Sequence, residues 1–222
     1  MREITLKIFK YIESKIGSNY QLYLVGGSSR DLLLGKEFID FDFATDCPYD
    51  VLMNSFEHVR SHYERFGIVN IKYSGYGITL ACLRKEKLYL DNRHPAQVEF
   101  ISDPIEDAKR RDFKINAIYI DSKGNILDPY NGRKDLEDKI ISMIGDIETR
   151  IDEDPIRICR AFRFEDKLGF EIEPKLKKYC EEHVYLLEGL NPHKMDIEYA
   201  KCSPKVYKTI QTLLYSSKRV LK

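Results

Sequence analysis

The chain of 222 residues carries 36 basic and 36 acidic side chains, so its formal charges cancel. A neutral chain is not a wholly basic nucleic-acid binder, and any RNA contact has to come from a local patch. The length allows a real core in one large or two small domains, and no apolar run is long enough to cross a membrane.

Residues 2 to 16 place Ile4, Ile8, Ile12 and Ile16 four apart, which predicts an amphipathic helix ended by Gly17 and Asn19. An apolar strand then ends in Val25. Gly26-Gly27 predicts a turn, and Ser28 to Leu34 a short helix stopped by Gly35. Two glycines between a strand and a helix let backbone N–H groups approach a polyanion, and the helix N-terminus adds partial positive charge. The next strand carries Ile39, Phe41 and Phe43 on one face and Asp40 and Asp42 on the other. Neighbouring carboxylates repel unless a cation lies between them, and hard oxygen ligands favour Mg²⁺ or Mn²⁺. Singly, a Gly-Gly pair is a tight turn and an Asp-x-Asp a solvated strand face. In this order and this close, a triphosphate cradle and a metal pair belong to one reaction, nucleotidyl transfer.

Asp46 and Pro48 open another helix, through about Phe56. His58 and His62 stand four apart with no third metal ligand near them, and read as a solvated helix face. From Phe66 to Arg84 the pattern is a hairpin: Val69, Ile71 and Tyr73 alternate, Ser74-Gly75 turns the chain, and Ile78, Leu80 and Cys82 alternate again. Lys85 to Pro95 is polar without a period and reads as a mobile loop, and Val98 to Ile101 returns to strand. Asp103-Pro104-Ile105-Glu106 is a helix start, with an N-cap Asp and Pro at the first helical position. That helix leads into Arg110-Arg111-Asp112-Phe113-Lys114-Ile115-Asn116, then a strand from Ala117 to Ile120 and a turn at Gly124. Asp128-Pro129 and Gly132 mark another turn.

Beyond about Ile144 strand signals give way to helices, which places a domain boundary near residue 145. Breaks fall at Gly169, Pro174, Gly189 to Pro192 and Pro204. Asp154 is a plausible N-cap with Pro155 at the first helical position. One turn apart, Asp154, Arg157 and Arg160 share one side, while Ile158, Cys159 and Phe162 can pack opposite. The plain reading is a surface salt bridge. The sharper one is an acceptor beside a fork of donors, able to pair with a nucleobase edge, with Arg160 and Arg163 towards phosphates. Arg110-Arg111 carries the same two readings. The five cysteines are scattered without a Cys-x-x-Cys pair, which suits reduced thiols in a cytosolic protein rather than structural zinc.

Together these motifs resemble the class II tRNA nucleotidyltransferases, the group of bacterial CCA-adding enzymes and related poly(A) polymerases. The matching stretches are Leu24-Val25-Gly26-Gly27-Ser28-Ser29-Arg30-Asp31, Asp40-Phe41-Asp42, Arg110 to Ala117, the Asp128 to Gly132 turn, and Glu153-Asp154-Pro155-Ile156-Arg157 running on to Phe164. They cover roughly residues 20 to 200, in the family's order.

The resemblance implies an α+β fold: a nucleotidyltransferase head of mixed sheet and flanking helices over residues 1–145, then an all-helical neck over 146–222. It implies that Asp40 and Asp42 hold catalytic Mg²⁺, and that Gly26, Gly27 and Arg30 cradle the triphosphate with Arg111, Arg160 and Arg163. Asp112 would bind the ribose, and Asp154 and Arg157 would read C and A without a template. The Asp128 to Gly132 turn would be a hinge. The loop around Tyr89 to Pro95, kept here as Asp91-Asn92-Arg93-His94-Pro95, would serve the switch from C to A and disfavours CC-only addition. The implied reaction adds CMP and AMP from CTP and ATP to a tRNA or other RNA 3′ end and releases pyrophosphate. It would take place in the cytoplasm, with no membrane and with a protein partner or second copy possible.

Three departures stand out. Ser29 replaces a small aliphatic residue, Thr79 stands where many relatives have an acid, and relatives continue through body and tail domains whereas this chain stops at Lys222. Of the last helix, Lys205, Lys208, Lys218, Arg219 and Lys222 offer a modest basic surface. The rival readings are an A-only or poly(A)-type enzyme, transfer to a small molecule or protein, and a nucleotide or RNA-binding module without turnover.

Overall fold

In the computed structural model, which describes residues 1–57, 59–89 and 95–220, helix α1 (Glu3–Ile16) buries Ile8, Phe9, Ile12 and Ile16. Phe9 takes the place expected of Ile4, which is half-buried, and its ring meets Phe43 edge-on at 5.0 Å. Each such buried side chain contributes about 1.5–3 kcal/mol. Gly17, at φ +93°, ends the helix where L-residues do not follow.

Strand β1 (Leu22–Leu24) runs into helix α2 (Gly26–Leu33), and strand β2 (Asp40–Thr45) returns beside β1 in antiparallel register. After helix α3 (Tyr49–Ser55) come β3 (Arg60–Tyr63), β4 (Ile68–Tyr73) and β5 (Tyr76–Cys82). The expected hairpin is β4–β5, turning at Ser74-Gly75. β5 lies parallel to β2, with Asp40 opposite Gly77 and Asp42 opposite Thr79. With β8 (Tyr119–Ile120) and β9 (Ile126–Leu127) the strands form one mixed sheet, ordered β3-β4-β5-β2-β1-β8-β9. The fold class is thus α+β, as the motifs imply.

Four expectations are corrected. The two glycines are not a turn before the helix but its first residues, because Gly26 takes φ +65° and turns the chain in one step. Ile39 does not share the buried face of Phe41 and Phe43; it precedes β2 and is 71% exposed. His62 lies in strand β3 rather than on a helix, and His58 is outside the described residues. Most of the stretch expected as a loop is a second hairpin, β6 (Arg84–Tyr89) with β7 (Pro95–Phe100). The pair forms a sheet of its own, apart from the seven-stranded one. Residues 90–94, most of the stretch implied in the C-to-A switch, lie outside the described residues.

Helix α4 (Pro104–Lys109) starts as expected, the Asp103 carboxylate accepting from the Ile105 N–H at 2.8 Å. Helix α5 (Gly132–Asp138) begins at the Asp128 turn, whose carboxylate accepts from the N–H groups of Gly132 and Arg133. Only glycine fits at 132, since a Cβ there would run into the Lys114 carbonyl. Strand β10 (Ile140–Ile141) pairs in parallel with β11 (Glu171–Ile172), a short strand in the region read as helical only. Around it stand α6 (Ile147–Glu153), α7 (Ile156–Leu168), α8 (Pro174–Glu182), α9 (Pro192–Tyr199) and α10 (Pro204–Val220). One hydrophobic cluster runs from Ile8 on α1 to Leu214 on α10, and Phe113 meets Phe164 of α7 edge-on at 5.7 Å. This packing brings Arg157, Arg160 and Arg163 of α7 to the same cleft as Asp42, which lies on the central strand β2.

Candidate active site

The carboxylate edge is held by main chain. Val25 donates its N–H to the Asp42 carbonyl at 2.9 Å, fixing the end of β1 to the middle of β2. The Ser28 hydroxyl, on α2, donates to the Asp40 carbonyl at 3.1 Å and accepts from the Asp42 N–H at 2.8 Å. It therefore braces the backbone between the two acids, a role that nothing in the motif announces. A Cβ on Gly26 would sit 3.5 Å from Asp42 Oδ2, and one on Gly77 would sit 2.8 Å from Asp40 Oδ1. The glycine at 77 therefore leaves room for the Asp40 carboxylate against β5. Asp40 is exposed, whereas Asp42 is half-buried and its pKa is raised by burial, with Arg111 and Arg30 offsetting that only in part.

Across the cleft stands a wall of arginines, each held by an acid or amide. Arg30 is buried, donating from Nε to Asp31 and from Nη1 to the Asn116 side chain, both at 2.8 Å. Arg111 donates from Nε to the Tyr119 hydroxyl at 2.8 Å and from Nη2 to Asp107 at 3.0 Å. Arg160 pairs with Asp112 at 2.7 Å, and Arg163 with Glu198 of α9 at 2.9 Å. Burial raises the pKa of Asp112, but Arg160, the Phe113 N–H, the Asn116 amide and Arg157 together outweigh it and hold the carboxyl below the usual range. The other Asp112 oxygen accepts from the Phe113 N–H and the Asn116 amide.

The expectation for Asp154 and Arg157 needs correction. Asp154 closes α6, and Pro155 rather than Asp154 stands at the cap position of α7, without a side-chain cap bond. Asp154 still offers its carbonyl to the Arg157 N–H at 3.0 Å. Arg157 is buried rather than lying free on an exposed face, and its Nη1 donates to the Arg150 carbonyl and to Glu153. Arg150 in turn donates to the carbonyls of Arg110 and Arg111 at 2.8 and 2.9 Å, tying α6 to the arginine wall.

Gly26, Gly27, Arg30, Asp42, Arg111, Asp112, Asp154, Arg157, Arg160 and Arg163 line a single cleft of about 500 Å³. Asp40 lines the two clefts that adjoin it, one shared with Asp42 and the other with Thr79. Sequence reasoning misses Ser28, Asp107, Tyr119, Arg150 and Glu198 as supports. Only Asp107 has a legible signal, lying one helical turn before Arg111.

The donor set suits a hard divalent cation. Two carboxylates on one strand face, without a third His, Cys, Asp or Glu grouped beside them among the described residues, are what Mg²⁺ needs when substrate phosphates and water complete its shell. Thr79, opposite Asp42, donates its hydroxyl to Asn70 instead of supplying a further carboxylate. Among the described residues no helix is long and apolar enough to cross a membrane.

A mixed sheet with a glycine-opened helix, an acid pair and an arginine wall is the arrangement of a nucleotide-polymerising head. Comparison with known proteins agrees: residues 22–142 match the poly A polymerase head domain, and the chain belongs to that family. It is 34% identical over 201 residues to the CCA-adding enzyme of Geobacillus sp. (strain WCH70), covering 90% of this chain and 50% of the relative. With the CCA-adding enzyme of Streptococcus mutans serotype c it shares 38% identity over 190 residues, 86% of this chain and 47% of that one. The crystal structure of the Bacillus stearothermophilus CCA-adding enzyme in complex with CTP superposes with a TM-score of 0.78 at 31% identity, over 90% of this chain and 49% of that one. A tRNA nucleotidyltransferase complexed with a primer tRNA and an incoming ATP analog gives 0.62 at 31% identity, over 79% and 49%. The chain thus spans about half the length of the relatives it matches.

Proposed function

We propose that the chain is the catalytic part of a template-independent RNA nucleotidyltransferase that adds CMP and AMP to the 3′ end of tRNA and releases pyrophosphate. Head and neck divide near residue 145 in this reading, and the enzyme works in the cytoplasm, the compartment its scattered thiols suit. The observation that supports it best is the convergence of Asp42, Arg111, Asp112 and Arg160 on one cleft.

In this reading Asp40 and Asp42 hold Mg²⁺, which when bound supplies charge neutralisation to the attacking 3′-oxygen and the leaving pyrophosphate. The remaining work belongs to the chain. The N–H groups of Gly26 and Gly27 and the N-terminus of α2 receive phosphate oxygens. Arg30, Arg111, Arg160 and Arg163 hold the triphosphate in line for attack, already oriented by their acids, so little reorganisation is needed at reaction. Asp112 accepts from the ribose with its remaining lone pairs, and Asp154 with Arg157 presents an acceptor and donors to the base edge. The Asp128 turn, joined to α5 by two carboxylate bonds, acts as the hinge.

The test is incorporation of labelled CTP and ATP, separately and together, into a tRNA lacking its 3′ CCA, resolved at single-nucleotide length. Two Cs from CTP alone and a stop after one further A is the expected result. Growth with ATP alone on tRNA ending in CC would instead mark an A-adding or poly(A) enzyme. No product with either nucleotide would mark a binding module that needs a partner for turnover.

A further inference from the structure

Arg111 is presented in an unusual way. Of its three guanidinium nitrogens, Nε donates to the Tyr119 hydroxyl at 2.8 Å and Nη2 to Asp107 Oδ2 at 3.0 Å. The third, Nη1, is the one at the cleft mouth, 3.8 Å from where a Cβ on Gly26 would stand, beside the Asp42 carboxylate. The Tyr119 hydroxyl also donates to Asp107 Oδ2 at 2.6 Å, which closes a three-membered ring of tyrosine, aspartate and arginine. Tyr119 and Asp107 are fully buried, and the guanidinium carbon lies 5.0 Å from the Tyr119 ring centre. The ring is fixed from behind by Tyr23, edge-on at 5.8 Å, whose own hydroxyl donates to Gln21.

Asp107 alone is a poor guide for Arg111. Its other oxygen accepts from the Arg84 N–H and from Arg110, so with Arg111 and Tyr119 four residues donate to one carboxylate. A flexible side chain with one anchored nitrogen can rotate about that anchor. With two nitrogens anchored it cannot, and Nη1 points one way. The second anchor is the phenol. A phenylalanine would pack the same ring but leave Nε without its acceptor.

We propose that Tyr119 is a positioning residue for the triphosphate, acting through Arg111: its hydroxyl locks the guanidinium so that Nη1 faces the phosphate site beside Asp42. This rests on the reading of Arg111 as a triphosphate ligand, and the test separates the two.

The experiment is a calorimetric titration of the purified chain with inorganic tripolyphosphate in magnesium buffer, for wild type, Tyr119→Phe, Arg111→Ala and the double variant. Thermal melts confirm that each variant is folded. Losing one hydrogen bond to a charged group predicts that Tyr119→Phe weakens tripolyphosphate binding about three- to tenfold. It should raise KM for CTP by a similar factor and change kcat less. In the Arg111→Ala background the tyrosine change should have no further effect, since nothing is left to position. A Tyr119→Phe variant that binds like wild type while Arg111→Ala binds weakly would overturn the inference and leave the role of Arg111 standing. So would a double variant showing the full product of both single losses, because Tyr119 would then act elsewhere. Arg111→Ala binding as tightly as wild type, or no binding by wild type, would overturn both.

Discussion

The two sides of the cleft are built on opposite principles. On the arginine side, Arg30, Arg111, Arg160 and Arg163 each meet an acid or amide partner within 3.0 Å; Arg110 and Arg111 lower the pKa of Asp107, and Arg160 with the neighbouring donors that of Asp112, against the pull of burial. On the carboxylate side, Asp40 is exposed and Asp42 has its pKa raised by burial. Their backbone is braced by Ser28, but Arg111 and Arg30 offset only part of the cost of burying Asp42. In the proposed reading, the groups that would receive a ligand's negative charge are preorganised by partners of their own. In the same reading, the buried acid Asp42 is left costly to ionise until a cation arrives.

The largest effect tests the carboxylate side. Asp42→Ala should cut nucleotide incorporation more than about a thousandfold in the gel assay, since it removes a carboxylate from the cation site. Asp42→Asn should be equally inactive yet more stable than wild type at neutral pH in metal-free buffer, by a few degrees of melting temperature. The sign follows from the raised pKa: ionising Asp42 costs more in the folded chain than in the unfolded one. That penalty is absent below the ordinary carboxylate range and grows as pH rises through the folded value. The difference between Asn and Asp should therefore vanish in acid.

On the arginine side the sign reverses. Asp112→Ala should destabilise by about 1–3 kcal/mol in urea unfolding, because it removes the acceptor of the Phe113 N–H and the Asn116 amide and the ion-pair partner of Arg160. The lowered pKa of Asp112 means that this contribution is present above the ordinary carboxylate range and lost on acidification. Away from either wall, Gly132→Ala should cost about 1–3 kcal/mol by overpacking against Lys114, with activity retained at permissive temperature. Arg157→Ala should blur the preference for CTP and ATP over UTP about tenfold with a smaller loss of rate, read by competition between nucleotides. Smallest is Ser28→Ala, at about 0.5–1.5 kcal/mol of stability and a several-fold drop in kcat, as the brace between the acids loosens.

Much of this architecture is legible in local pattern. Alternation puts Phe41 and Phe43 in the core opposite Asp42, and the Asp103-Pro104 start of α4 holds as read. The misreadings share one cause, which is that local pattern does not see neighbours. Lys85 to Pro95 reads as a loop because the stretch is mostly polar without a period, and the ladder that makes its first half a strand is supplied by residues 95–100. Arg157 reads as surface-exposed because helical periodicity does not show that the Arg150 carbonyl and Glu153 wait for it.

The sequence by itself determined which chemistry is present: glycines opening a helix, two acids one residue apart on a strand, and arginines at helical spacing, because these depend on residue type and on separations of a few positions. Tertiary structure alone decided how each charge is used. Arg30 to Asn116, Arg150 to the Arg110 and Arg111 carbonyls, and Arg163 to Glu198 span 86, about 40 and 35 residues. Contacts at such separations exist only after the chain has closed on one core, which is why no short-range pattern announces them.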